Sequence, residues 1–293
     1  MRNAIPDPIF VRGMSRSGGT LLVTLLDAHR DIAMSYELYP TLLEDAASVD
    51  LASLSRRLKS RWTKLRLDSM VSHRGLRTFL ARCDRGGLSL AEIGRNIDRL
   101  LAEGLDLSTV RGRLRLIELI GLEKMSKSGK SRWGMKCNNS YEDYAAYWAR
   151  PCFLNIIRDG RDVLASQLNT GSFNKSPGEV AAGWVATQRR FESFMREPGV
   201  RAKFVRYEDL TSNPEPVLRD ILAFLELEFD PATLQHEKLD LTVFKASHLS
   251  KQRITQGIDT TKIGRWRRDL SPEQLGEFMA VAGNDLVHFG YTA

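Results

Sequence analysis

The stretch Gly13-Met14-Ser15-Arg16-Ser17-Gly18-Gly19-Thr20 puts three glycines, two serines, a threonine and an arginine within eight residues. Such a loop can cradle an anion. Gly13, four residues, Gly18 and Thr20 fit the phosphate-loop spacing GxxxxGK[ST], but Gly19 stands where the lysine should be. That lysine reaches the β- and γ-phosphates while the Ser/Thr holds magnesium, so its loss makes a nucleoside triphosphate a poor ligand. Backbone amides at a helix N-terminus still suit an anion, and Arg16 brings a cation into the loop. The competing reading of the loop alone is a tight strand-to-helix turn with incidental hydroxyls.

A second constellation lies far along the chain, in Asn155-Ile156-Ile157-Arg158-Asp159-Gly160-Arg161-Asp162 with Ser166. Arg158 at a strand end offers a bidentate fork, and Ser166, eight residues on in the next helix, a hydroxyl donor; together they suit a terminal phosphate. Glu37 follows a short apolar run, where a carboxylate facing a cleft can take a proton from a hydroxyl. A surface glutamate near the turn at Pro40 is the plainer alternative. None of His29, His73, His236, His248 or His288 falls in a pattern that marks a base, and each reads as an ordinary helix or surface residue. Cys83, Cys137 and Cys152 are odd in number and share no metal-ligand spacing. That excludes a disulfide scaffold and fits a reducing compartment. Cys137 has neither a base nor a motif beside it and reads as a packing residue.

The elements that must position these groups alternate. Ile9-Phe10-Val11 reads as a strand. Leu21, Leu22, Leu25 and Leu26 form a helical stripe after the glycine loop. Ile32–Tyr36 reads as a second strand, closed by Tyr39-Pro40. Helical patterns broken by glycines fill about 41–131. A helix is expected over Tyr141–Ala149, a strand over Cys152–Ile157, helices from near Gly160 and from Gly178 to Arg196, and a strand over Phe204–Tyr207. Asn213-Pro214 opens a further helix, and Ser271-Pro272-Glu273-Gln274 is a capping box. Strands alternating with helices predict an α/β fold: one domain over 1–293, with a mainly parallel sheet between helices. The stretch 41–131 is then a helical insertion.

The 293 residues are 42% hydrophobic and 27% charged, ordinary for a well-cored protein. No apolar run approaches the 18 or so residues of a membrane span. Met1-Arg2-Asn3-Ala4-Ile5-Pro6 lacks the apolar core of a secretion signal, so a cytoplasmic location is expected. The net charge of +7 is concentrated: between Asp50 and Arg115 there are 15 Lys/Arg against seven Asp/Glu. A nucleic-acid surface would pair such charge with aromatics or a known motif, and RRLKSRWTKLRL offers only Trp62. No nucleic-acid partner is expected. The charge reads as a solvated helical face or as a surface that steers an anionic acceptor to a cleft.

Five segments, in order, resemble sulfotransferases that use 3′-phosphoadenosine 5′-phosphosulfate (PAPS). RSGGTLL after a strand is similar to their 5′-phosphosulfate loop, usually PRSGTTLL or PKSGTTW. LLDAHRDIAMSYE is similar to the pattern of tyrosylprotein sulfotransferases. Arg158 with Ser166 resembles the family's 3′-phosphate site. Arg206-Tyr207-Glu208-Asp209-Leu210 resembles its YEDL segment, and Gly264-Arg265-Trp266-Arg267 its C-terminal GxW signature. The resemblance covers about 8–37, 133–230 and 254–291, with nothing in 41–131.

It implies transfer of a sulfuryl group from PAPS to an acceptor hydroxyl, without metal or covalent intermediate. Arg16 would meet the sulfuryl oxygens. Ser17, Gly18, Gly19, Thr20 and Leu21 would hold the 5′-phosphate, although Ser15 replaces a proline and Gly19 a threonine. Glu37, 21 residues after Arg16, falls where the tyrosylprotein enzymes carry their base, with Tyr36 replacing a second acid. Lys136 would stabilise the leaving group, with Cys137-Asn138 in place of Thr-Pro. Arg158 and Ser166 would bind the 3′-phosphate and Tyr207 would lie near the adenine. Arg253 and Lys262 would close over the nucleotide, and Trp266 would anchor packing. A peptide tyrosine, a carbohydrate and a small-molecule hydroxyl all remain as acceptors, and the basic insertion would suit an acidic peptide. The rival readings are a nucleotide kinase of the phosphate-loop type and a non-catalytic nucleotide binder.

Overall fold

The structure is a computed structural model that describes residues 7–35, 37–60, 71–138, 141–170, 174–238 and 257–292. Its centre is a sheet of five parallel strands: β1 (Ile9–Arg12), β2 (Ile32–Ser35), β3 (Arg132–Lys136), β4 (Cys152–Ile157) and β5 (Arg201–Arg206), in the order β2-β3-β1-β4-β5. Strand residues alternate between two cores. Ile9 and Val11 join Ile32, Met34, Leu154 and Ile156 on one face, while Phe10, Trp133, Met135 and Phe153 point to the other. Burial on both faces is why the strands read as continuous apolar runs.

Helices α1 (Gly19–Asp27) and α10 (Pro214–Phe224) cover the first face through Leu22, Leu25, Leu26, Leu218, Ile221 and Leu222. The second face carries the expected helical insertion, which leaves β2 by a 3₁₀ turn (Pro40–Ala46). Helices α2 (Leu51–Leu58), α3 (Arg74–Arg85), α4 (Leu90–Ala102) and α5 (Val110–Lys127) follow. Local chemistry sets their starts. Asp50 and Thr109 cap α2 and α5, and Ser89 with Glu92 forms a capping box on α4. The cap of α3 is non-local: Asp45 accepts from the amides of Gly75 and Leu76 at 2.7 and 3.2 Å. Leu76, Phe79, Leu80 and Cys83 then seat α3 in the core at the helical spacing of one face.

The remaining helices are α6 (Tyr141–Tyr147), α7 (Gly160–Leu168), α8 (Pro177–Met195), α9 (Tyr207–Ser212), α11 (Trp266–Asp269) and α12 (Pro272–His288). Three sequence expectations shift. The helix expected over 141–149 stops at Tyr147. The one expected from Gly178 starts at Pro177, in a Ser176/Glu179 capping box of the kind read correctly at Ser271. Tyr207 belongs to no strand: β5 ends at Arg206, and Tyr207 opens α9, where Glu208 and Asp209 sit in the first turn as a helix N-terminus favours. Among the described residues no helix is long and apolar enough to cross a membrane.

Strand order decides where chemistry can occur. β1 is central, with β3 on one side and β4 on the other, and Val11 pairs with Lys136 while Arg12 pairs with Asn155. The loop leaving β1 therefore emerges between the carboxyl ends of β3 and β4. Open α/β sheets bind ligands at such a reversal of strand order.

Candidate active site

The loop from Gly13 to Gly18 turns tightly, with the Ser17 amide donating to Met14 O at 3.0 Å. Gly18 caps α1 in the left-handed region, φ 96°, and no side chain caps the helix. The helix thus starts, at Gly19 and half-buried Leu21, without a side-chain cap, and such a start suits an anion. The Ser17 amide, by contrast, is spent on the turn. Its hydroxyl is wholly buried and has no partner among the described residues, which in a polar loop marks a place for a ligand atom. A Cβ on Gly18 would stand 2.5 Å from Tyr207 Cδ2. Gly18→Ala should therefore melt at a lower temperature, losing about 1–2 kcal/mol from the left-handed backbone alone and more from the overlap. Calorimetry of the variant checks this, and an unchanged Tm would remove the close approach.

Lys136 explains the missing loop lysine. A Cβ on Gly19 would lie 3.3 Å from Lys136 Cε, so a strand lysine already fills the space beside the loop. The Lys136 ammonium donates to Glu37 Oε1 at 2.8 Å. Glu37 does not sit in β2, which ends at Ser35; it lies beyond the strand in the left-handed region, φ 54°. Arg82 of α3 approaches Glu37 Oε2 at 3.2 Å and donates to the Glu37 carbonyl at 2.5 Å, and the Tyr39 hydroxyl also bonds the carboxylate. Burial would raise the Glu37 pKa, but Lys136 and Arg82 together outweigh it and hold the carboxyl below its ordinary range. Cys137, next in sequence, is fully buried, and burial pushes its thiol up to about 12, so it stays protonated.

On the other side of the loop, Arg16 Nε donates to Ser166 Oγ at 3.1 Å. Arg16 is also left-handed, φ 77°, and its carbonyl accepts from Arg158 Nη1 at 3.3 Å. Arg158 is 5% exposed and lies 3.5 Å from Asp162. Its guanidinium carbon is 4.5 Å from the centre of the Tyr207 ring, and its Nη2 donates to Lys262 O. Its Nε is buried without a partner among the described residues. Asp162 accepts from the amides of Gly264 and Trp266 at 2.8 and 3.0 Å, fastening the C-terminal turn to α7. Burial nonetheless raises the Asp162 pKa.

Two groups thus flank one loop: Glu37 and Lys136 on the β3 side, Arg158, Ser166 and Tyr207 on the β4 side, with Arg16 bonded into the second. Lys262 comes in through its carbonyl, while its half-exposed ammonium lies 3.4 Å from Asp259. Arg253 is outside the described residues. The side chains of Arg161 and Arg267 stack on Trp266. His29 and His236 are wholly buried rather than at the surface. His29 bonds Glu228 O at 2.9 Å where α1 hands over to β2, at the amino end of the sheet. Sequence reasoning missed Arg82, Tyr39 and Asp162. Asp162 had a signal, an opposite charge four residues after Arg158. Arg82 had none.

The chain matches the model of the Sulfotransferase family over residues 8–231. It is 23% identical over 297 residues to protein-tyrosine sulfotransferase 1 of Danio rerio, covering 97% of this chain and 72% of that one. To the protein-tyrosine sulfotransferase of Drosophila melanogaster it is 25% identical over 238 residues, covering 78% of this chain and 40% of the relative. Among solved structures, the sulfotransferase domain from the Synechococcus PCC 7002 olefin synthase superposes with a TM-score of 0.62 at 18% identity over 100% of this chain and 98% of that one. The sulfotransferase domain from the curacin biosynthetic pathway gives 0.60 at 19% identity over 98% of both. These two likenesses show the fold. The matched family model takes in the loop, both flanking groups and the insertion between them, and the chain is a sulfotransferase that belongs to this family.

Proposed function

We propose that the chain moves the sulfuryl group of PAPS to an acceptor hydroxyl. The observation that carries this is the loop between two unlike groups, phosphate-type donors on one side and a carboxylate–lysine pair on the other. The residues fit the nucleotide: the Ser17 hydroxyl and Arg158 Nε are buried and unpartnered among the described residues, and α1 begins without a side-chain cap. A kinase reading lacks support, because Gly19 and the strand lysine beside it replace the loop lysine.

When bound, PAPS supplies the sulfuryl group and the phosphate that leaves. Transfer is an in-line displacement at sulfur, a relative of phosphoryl transfer in which positioning and charge stabilisation dominate. The acceptor oxygen forms the new S–O bond, the bond from sulfur to the bridging phosphate oxygen breaks, and the acceptor proton goes to Glu37. Arg16 stabilises charge on the transferring group, and Lys136 charge on the leaving oxygen. Ser17 and the first-turn amides of α1 hold the 5′-phosphate; Arg158 and Ser166 hold the 3′-phosphate. Tyr207 packs near the adenine, and Lys262 and Arg253 would close over the nucleotide.

The insertion is read as the acceptor-side cap of a single domain, since Arg82 reaches Glu37 from it. The similarity to enzymes named protein-tyrosine sulfotransferases supports a peptide tyrosine as the first acceptor to assay, beside carbohydrate and small-molecule hydroxyls. The basic insertion supports an acidic sequence around that tyrosine. Three free, buried cysteines support a reducing, cytoplasmic compartment.

Thermal unfolding tests the nucleotide site. Adenosine 3′,5′-bisphosphate with EDTA should raise Tm, since a ligand at 100 times its Kd adds about 2.7 kcal/mol. Arg158→Ala should abolish that shift. Stabilisation by ATP with magnesium and not by the bisphosphate would overturn the assignment.

A further inference from the structure

Glu37 is held at three points by one neighbour's guanidinium and one lysine, and the guanidinium comes from the helical insertion, where the sequence singled out no site residue. Arg82 Nη2 meets the Glu37 carboxylate at 3.2 Å, while Nη1 donates to the same residue's carbonyl at 2.5 Å. Lys136 takes the other carboxylate oxygen at 2.8 Å. The Arg82 guanidinium also lies 5.4 Å from the centre of the Tyr39 ring. We propose that Arg82 is a positioning residue for the reaction: it grips main chain and side chain of Glu37 together and so fixes the base for the acceptor hydroxyl. This rests on the reading of Glu37 as the base.

Glu37 is left-handed at φ 54°, a conformation that a residue with a Cβ holds only when its surroundings enforce it. The bond from Arg82 to the Glu37 carbonyl is such an enforcement. A planar fork serves two acceptors on one residue, whereas an ammonium is a point charge without that geometry. Arg82 can impose position because α3 is itself fixed, with its first amides capped by Asp45 and Leu76, Phe79, Leu80 and Cys83 buried beneath. The side chains of Arg82 and Glu37 are only 19% and 20% exposed, so their attraction is less screened than a surface pair's. Each carboxylate oxygen has two lone pairs. Lys136, Arg82 and the Tyr39 hydroxyl engage three of the four, which leaves one to receive the acceptor's proton.

The titratable groups facing Glu37 are Lys136 from β3, Arg82 from α3 and Tyr39 from its own loop. Arg12 and Cys137 stand beyond, on the Tyr39 side. Removing Arg82 takes away one of the two cations that lower the Glu37 pKa, so the carboxyl must titrate at higher pH.

The test compares kcat–pH profiles of Arg82→Gln, Arg82→Lys and Glu37→Gln, with Tm as a check on folding. Arg82→Gln should lose about 10²-fold in kcat, the scale of a 1 Å misplacement, with KM for PAPS within about twofold of wild type. Its acid limb should move to higher pH. Arg82→Lys should keep the acid limb in place and recover only part of kcat, because it restores the charge without the fork; it carries the test if the glutamine variant unfolds. Wild-type kcat and acid limb in both Arg82 variants, beside an inactive Glu37→Gln, overturn the role of Arg82 and leave the base standing. An active Glu37→Gln overturns the base itself.

Discussion

Glu37→Ala should lower kcat by about 10²–10⁴-fold, the usual worth of a general base, while adenosine 3′,5′-bisphosphate should still stabilise the fold. The two effects separate because Glu37 is on the β3 side of the loop and the phosphate donors are elsewhere. Truncation also frees Lys136 and Arg82 from their common counter-charge. Two cations facing the cleft without a carboxylate favour anions, so binding of the bisphosphate should hold or tighten, never weaken. The pH dependence follows from the same pair. The folded carboxyl titrates below its ordinary range, so the base is already ionised at neutral pH, and wild-type kcat falls only in strongly acidic solution. The stability consequence has the same sign. A depressed folded pKa contributes stability that is present above the unfolded value and is lost as pH falls through the folded one. Wild type should thus lose its advantage over Glu37→Ala on acidification through that window. Steady-state kinetics at saturating PAPS, with thermal shifts on the same samples, measures all three effects. Full activity in Glu37→Ala would remove the base assignment.

What could be read from the sequence is what the chain encodes locally. The loop, its glycines and the helix after it lie within twenty residues, and Arg158 and Ser166 are eight apart on one strand–helix turn. Spacing alone exposes the loop, and the resemblance to the family supplies the roles expected of Arg158 and Ser166. Glu37 and Lys136 are 99 residues apart, and only the β2–β3 register makes them neighbours. Each could be nominated singly, but their pairing could not be read. Arg82 is one basic residue among 15 in a segment without a motif, and it reaches the site only because Asp45 caps α3 from another element. Tyr207 was expected in a strand because Phe204-Val205-Arg206-Tyr207 has strand composition. The two acids after it, at a helix start, decide otherwise. Non-local caps and register carried the rest, and neither has a periodicity to detect.

Arg16→Ala should be the more damaging loop substitution, with kcat reduced by about 10³–10⁵-fold, the scale of an arginine that meets transition-state charge in phosphoryl transfer. Arg16 lies in the turn before α1, and its side chain reaches across to Ser166 at 3.1 Å. Its backbone does separate work: the Arg16 carbonyl accepts from Arg158, and alanine keeps that carbonyl. The 3′-phosphate group is therefore left assembled, and bisphosphate binding should change far less than turnover. This contrasts with Arg158→Ala, which removes a nearly buried guanidinium from the proposed nucleotide site and should abolish the thermal shift. Arg16→Lys separates charge from geometry. It keeps a cation in the loop but loses the planar fork that can span two sulfuryl oxygens, so it should recover part of the loss and no more. Alanine keeps the left-handed strain that Arg16 already carries at φ 77°, about 1–2 kcal/mol. Arg16→Gly relieves that strain without restoring the charge, and should therefore be more stable than alanine and equally inactive. Turnover within tenfold of wild type in Arg16→Gly would mean that the charge on the transferring group is met elsewhere, with Lys136, beside the loop, the first cation to test.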